Sequence, residues 1–298
     1  MRIPILPMEL EKEIFQMAAY SRPLSIPLLM RVAHRVKIWV EPLLFQVIVL
    51  SRHLCLDKTY IPYTYPFADD DDFSGIQSHP PSVLRDSVRH LLLYRMPGTV
   101  SEFILSASSA VEDLWISTAE PIDFLLPFIG VLPLQRLYCD AKELFALQTK
   151  INFGHPLFSR ITHLELFDQN ATESYSALAL IPHLTHLAFN LPGFLTISVA
   201  LLETCKSLRV LVLLMLRRSA VSDIAKHPAL GQLSEDPRFV QMFCSEFVGD
   251  WKAGALTGND YWWRAEDFIA QRRSGEIDRL QYEIGEGGLV DAVDDLLA

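Results

Sequence analysis

The chain has 298 residues, half of them apolar, with 26 basic and 36 acidic side chains and a formal charge of −10. That apolar content excludes wholesale disorder, and the negative balance repels a phosphate backbone, so nucleic acid is not an expected partner. The longest apolar runs, at 195–202 and 208–216, are cut by Glu203, Lys206 and Arg209 and are not expected to span a bilayer. Cys55, Cys139, Cys205 and Cys244 form no CxxC pair, and no signal-peptide hydrophobic stretch follows Met1. A reduced compartment, cytoplasmic and/or nuclear, is therefore expected, with no membrane association.

Residues 4–45 read as a small helical unit. Pro7 suits a helix start because its missing N–H costs nothing there, and Glu9, Glu11 and Glu13 favour the positive end of the dipole. Leu10, Ile14 and Ala18 share one face of this first helix. A second helix is expected from Pro27, with Leu28, Leu29, Val32 and Val36 on a stripe and Glu41-Pro42 closing the unit. The segment is either a docking unit or an N-terminal cap.

Residues 43–50 are expected to form a first strand. The stretch 57–82, with Pro62, Pro66, Pro80, Pro81 and Asp69–Asp72, reads as an exposed loop with a solvated acidic tip.

Six segments then repeat one pattern: apolar, two variable residues, Leu, one variable residue, apolar. They start at Val88, Val111, Leu134, Ile161, Leu184 and Leu208. The central leucines stand at 91, 114, 137, 164, 187 and 211, hence 23, 23, 27, 23 and 24 residues apart. Period-two apolar residues predict short strands with one buried face. The connectors 98–109, 119–130, 141–149, 172–181 and 195–206 are long enough for a helix or helical turn each. Strand plus helix at this period is the signature of a leucine-rich repeat, stacked in parallel. The asparagine usual after each strand is mostly missing; Asn170 and Asn190 are the nearest candidates, so irregular turns are expected. Asn170-Ala171-Thr172 is a formal glycosylation sequon, taken as a chance match.

Positions flanking the central leucines would form a ladder across the sheet. Tyr94, Asp113, Trp115, Arg136, Tyr138, His163, Glu165, Phe167 and His186 are the candidate partner-binding residues, since aromatics mixed with a few charges favour interface hot spots. Two arrangements stay open: a free concave face, or one buried beneath the C-terminal segment. In that segment 236–244 suits another strand, and Asn259 suits the cap of a helix through Arg273. That helix would pack Trp262 or Trp263 and Phe268 over the solenoid's open end. Residues 285–298 read as a frayed tail or a weak helix.

Leu6-Pro7-Met8-Glu9-Leu10 with Ile14-Phe15 resembles the opening of an F-box. Residues 29–35, Leu-Met-Arg-Val-Ala-His-Arg, and 41–45, Glu-Pro-Leu-Leu-Phe, resemble its second half. With the stretches 236–239 and 251–258, the whole chain is similar to the F-box-like proteins numerous in mushroom-forming fungi. The resemblance implies a substrate receptor of an SCF-type ubiquitin ligase, in which the box docks a Skp-type adaptor, itself bound to a cullin, and the repeats hold a protein substrate. Carried onto this chain it implies Leu6, Pro7, Leu10, Ile14, Val32 and Leu44 as docking residues. The tryptophan usual after the second-helix basic pair is Val36 here, which removes a large anchor.

The expected fold is therefore α/β: a small N-terminal helical F-box-like unit (1–45), an irregular leucine-rich-repeat solenoid with a parallel strand ladder (46–245), and a C-terminal helical cap and tail (246–298). No GxSxG, Walker-type loop or dinucleotide fingerprint occurs, so no enzymatic role is expected. His163 and His186 should be neighbours on adjacent rungs, but two imidazoles without a third ligand seldom hold zinc, and no cofactor or metal is expected.

Overall fold

The structure, a computed structural model, describes residues 6–22, 25–51, 67–68, 81–118, 122–148, 150–168, 173–215, 224, 226–244 and 246–285. The acidic run Asp69–Asp72, Cys55, the Asn170 sequon and the tail beyond 285 lie outside the described residues. The fold is α/β with parallel strands, and the chain divides into two compact units, Met1–Leu114 and Trp115–Ala298. Each is taken by itself.

The first unit begins with helices α1 (Met8–Ser21), α2 (Ile26–Leu29) and α3 (His34–Val40), then a 3₁₀ turn over Glu41–Phe45. The expected second helix is broken in two. Residues 30–33 turn, and Ala33 is extended at φ −161°, ψ 155°. The break has no proline or glycine at its centre; it aims α3 so that Val36 and Val40 meet Ile26 and Ala19 in a small core. Burying each of the aliphatic side chains contributes about 1.5–3 kcal/mol. Phe15, Leu29, Trp39 and Leu44 pack around that core, and Arg35 of α3 forks onto the Glu11 carboxylate of α1, Nη2–Oε1 2.7 Å.

Strand β1 (Val47–Ser51) follows, slightly later than the 43–50 expected, because the proline-led turn takes up residues 41–45. Beside it run β2 (Phe67–Ala68) and β3 (His90–Tyr94), both parallel to it, with Ile48 opposite Leu91. Helices α4 (Pro81–Ser87) and α5 (Gly98–Ala107) flank β3 in sequence. Strand β4 (Asp113–Ser117) crosses the boundary between the units.

In the second unit, connectors of one or two helical turns join parallel strands. They include α6 (Leu126–Ile129), α7 (Ala141–Leu144) and 3₁₀ turns at Asp123–Leu125, Pro156–Arg160 and Glu173–Leu180. The strands are β5 (Arg136–Cys139), β6 (His163–Leu166), β7 (His186–Phe189), β8 (Val210–Met215) and β9 (Phe239–Phe243), and the longer helix α8 (Leu195–Thr204) joins β7 to β8. Helix α9 (Leu230–Glu235) precedes β9. The central leucines are cross-strand partners: Leu137 opposes Leu164, Leu164 opposes Leu187, and Leu187 opposes Leu211. The periodicity in the sequence is thus the register of the sheet.

One expected turn device differs. Asp168, not an asparagine, accepts the amides of Ala141 (3.0 Å) and Lys142 (2.9 Å), while Asp140 caps α7 through Lys142 and Glu143 N–H. Asp168 is fully buried, and burial together with nearby Asp140 pushes its carboxyl up to about 6. Cys139, Cys205 and Cys244 are buried free thiols. Among the described residues no helix is long and apolar enough to cross a membrane.

The chain ends in a helical hairpin, α10 (Phe247–Thr257) and α11 (Tyr261–Ser274), then β10 (Glu283–Ile284), parallel to β9. Gly258 and Gly275, at φ 80° and 82°, stop the two helices in the left-handed conformation that side chains resist.

Candidate interaction surfaces

The helical part of the first unit has a filled interior and an apolar exterior. Leu10, Ile14 and Met17 of α1 are spaced one turn apart and exposed, Ile14 by 54%. Met8, Tyr20, Leu28, Val32 and Ile38 are exposed as well. Of the six docking candidates, Leu6, Pro7, Leu10, Ile14 and Val32 lie on the surface; Leu44 is half-buried against the core. The face shared by Leu10 and Ile14 is therefore turned to solvent, and α1 packs inward through Phe15 and Ala19. Leu28, Val32 and Val36 do not form one stripe, because the break at 30–33 turns Val36 inside while Val32 stays out. Val36 is fully buried. A tryptophan there would have to fit the interior, so the missing anchor is not missing from the surface.

The ladder lies otherwise than as an open face. In the first unit Tyr94 is half-buried and Asp113 buried, with His90 Nδ1 3.2 Å from the Asp113 carboxylate. In the second unit the ladder is covered by α10 and α11, rung by rung. Arg136 Nη1 donates to Asp260 Oδ2 (2.7 Å), Trp262 Nε1 donates to the Tyr138 hydroxyl (3.1 Å), and the Tyr261 hydroxyl donates to Glu165 Oε2 (2.8 Å). His186 Nε2 lies 2.9 Å from Glu266 Oε1. Trp115 stacks on Phe247 at 5.3 Å and tilts against Phe167 at 4.9 Å. Of the two arrangements the sequence left open, the structure shows the covered one, so these candidates do not form a free face: Trp115, Tyr138, Glu165 and His186 are buried, and Arg136, His163 and Phe167 are half-buried. The hairpin lies across the ladder instead of capping the sheet's end, because its aromatic and acidic side chains complement the rungs. Trp262 and Phe268 face inward as expected, while Trp263 is half-exposed.

Burial sets the protonation of this layer. The Glu165 carboxyl is pushed up to about 8 by burial, with the Tyr261 hydroxyl opposing and Asp250 adding, so it is neutral near pH 7. His163 and His186 are register partners with rings stacked at 3.9 Å. Burial, then His186 and Arg136, push His163 down to about 2; burial lowers His186 against the pull of Glu266. A neutral His186 donates Nε2–H to Glu266, and its Nδ1 lies 2.8 Å from the Thr185 hydroxyl, which donates to the Thr162 carbonyl. Among the described residues no three histidine, cysteine or acidic side chains converge as a metal site would require.

No protein-family model, curated protein or solved structure matches the chain. The sequence identified the ladder but not its partners Asp260, Tyr261 and Glu266. Asp260, not Asn259, caps α11 by accepting the Trp263 amide at 2.9 Å. The usable signal was a helix start rich in aromatics and acids, matching the arginine and histidines of the rungs.

Proposed function

We propose that this chain is a non-catalytic protein-interaction module, the substrate receptor of an SCF-type ubiquitin ligase, whose N-terminal helices form an F-box and whose repeats are irregular leucine-rich repeats. The observation that carries this reading is the exposure of Leu6, Leu10, Ile14 and Val32 on a helical unit whose own core is already filled by Ile26, Val36 and Val40. Large apolar side chains gathered on a small unit mark a surface meant to be covered. A Skp-type adaptor, joined to a cullin, would cover it, in the cytoplasm or nucleus. The test is copurification of the full chain with such an adaptor. The native chain should recover it, and Leu10→Ser with Ile14→Ser should abolish recovery while leaving thermal unfolding unchanged. A native chain that never recovers an adaptor overturns the reading. The covered ladder favours a second reading, a stand-alone repeat scaffold whose association surface is confined to the N-terminal helices.

A further inference from the structure

The starts of strands β6, β7 and β8 repeat one device. The Gln135 carbonyl accepts the amides of Thr162 (2.8 Å) and His163 (3.1 Å) and the Thr162 hydroxyl (3.1 Å). One rung on, the Thr162 carbonyl accepts the amides of Thr185 and His186 and the Thr185 hydroxyl. The Thr185 carbonyl then takes the amides of Arg209 and Val210, and the Leu184 carbonyl takes the Ser207 hydroxyl. These backbone acceptors are filled and do not offset a neighbouring positive charge.

An open groove of about 520 Å³ lies along the same rim; its lining includes Gln135, Arg160, Thr162, His183, Thr185 and Ser207. Arg160 and His183 are exposed, and so are Lys206 and Arg209, which stand within two residues of Ser207. Among the described residues, none of these four side chains is engaged in an ion pair or a hydrogen bond. Among the same residues no carboxylate lines the groove. None occurs anywhere in the stretches 150–163, 175–186 and 205–212 that carry its walls. In a chain of formal charge −10, this is a positive surface without an internal counter-charge.

We propose that this groove binds an extended acidic segment of a partner protein. Arg160 and Lys206, with Arg209 nearby in sequence, pair with its carboxylates, and the His183 ring adds an N–H donor. Rungs stand about 4.8 Å apart, so the four from Gln135 to Arg209 span about 14 Å, the length of about four extended residues. A nucleic acid fits the groove less well. No Phe, Tyr or Trp among the lining residues offers a base a stacking partner, and the net negative charge opposes a polyphosphate. Three cations also fall short of the clusters of about 4–8 that anionic lipid recruits. The inference names a partner class for the protein-interaction reading above and rests on it, but its test involves no adaptor, so the two fail separately.

The test is fluorescence anisotropy of the full chain with a labelled octaglutamate peptide, beside an oligothymidylate of the same charge and vesicles containing phosphatidylserine. Octaglutamate should bind, and binding should weaken as salt is raised. Arg160→Glu with Lys206→Glu should weaken it at least about tenfold. Arg273→Glu with Arg279→Glu changes the net charge equally outside the groove and should leave affinity within about twofold. All four substituted side chains are exposed, so denaturant midpoints should stay at the native value. Should the reversed pair misfold, Arg160→Gln with Lys206→Gln takes its place and should weaken binding in the same direction. Octaglutamate that does not bind, or that is lost equally with both reversed pairs, overturns the proposal. So does oligothymidylate or vesicle binding as tight as that of the peptide, which would make the groove a nucleic-acid or membrane surface.

Discussion

Glu165 is a carboxyl group in the middle of a strand, covered on one side by Tyr261 and facing away from Leu164 and Leu166 on the other. Its sign of pH dependence follows from its raised pKa, about 8 against an unfolded value of 4.5. The folded state holds the proton that the unfolded state gives up, so this group's contribution is fully present below pH 4.5 and is lost as pH rises through 8. Glu165→Gln fixes the neutral form and still accepts the Tyr261 O–H. The variant should match the native chain near pH 4.5 and exceed it increasingly up to pH 8, by about 3–5 kcal/mol, with the gap constant above that. Chemical denaturation at pH 5, 7 and 9 would measure it. A gap independent of pH would mean that Glu165 is ionised in the folded chain. His163 works in the opposite direction: held at about 2, it stays neutral when unfolded imidazole protonates, and so costs stability as pH falls below 6.5.

At the scale of elements, the strands were legible because a half-buried strand must alternate. The leucines at 137, 164, 187 and 211 became register partners with no tertiary information needed. The helix over Leu195–Thr204 was legible from the length of the connector 195–206. What escaped the sequence was set by packing between distant residues. Nothing local marks Ala33 as the break before α3, since the gain lies in seating Val36 beside Ile26. Asp168 reads as an ordinary polar residue until the amides of Ala141 and Lys142, a whole repeat earlier, are brought to it. The hairpin's position depends on a similar close approach at Gly254. Replacing it by alanine would force the new methyl into Asp260, disturbing the α11 cap and the Arg136 pair together. Gly254→Ala, which raises helix propensity in isolation, should instead destabilise the chain by about 2–4 kcal/mol. The accompanying loss of amide protection should be greatest at 259–264. A variant as stable as the native chain would show that α10 and α11 can part at no cost.

At the scale of the molecule, the question is where an apolar half of the sequence ends up. Among the described residues Leu164, Leu187 and Val36 are sealed, but Leu10, Ile14, Met17 and Val32 are left on the surface. Folding stability and association should therefore depend on separate sets of large side chains, and the aromatics of the ladder belong to the first set. Tyr138 is buried, stands opposite Glu165 in the register, and its hydroxyl receives the Trp262 indole N–H. Tyr138→Ala removes that partner and opens a cavity, and should cost about 3–5 kcal/mol of folding, as should Trp115→Ala. Leu10→Ser and Ile14→Ser remove no contact with the filled core and should each change stability by less than about 0.5 kcal/mol. Denaturant midpoints of the four variants decide between this division and an open ladder. Were Tyr138→Ala and Trp115→Ala to unfold at the native midpoint, these rings would be held only by a cover that is mostly open in solution. Were Leu10→Ser and Ile14→Ser to lower the midpoint strongly, the N-terminal apolar row would be part of the folding core, and no adaptor would be needed to explain it.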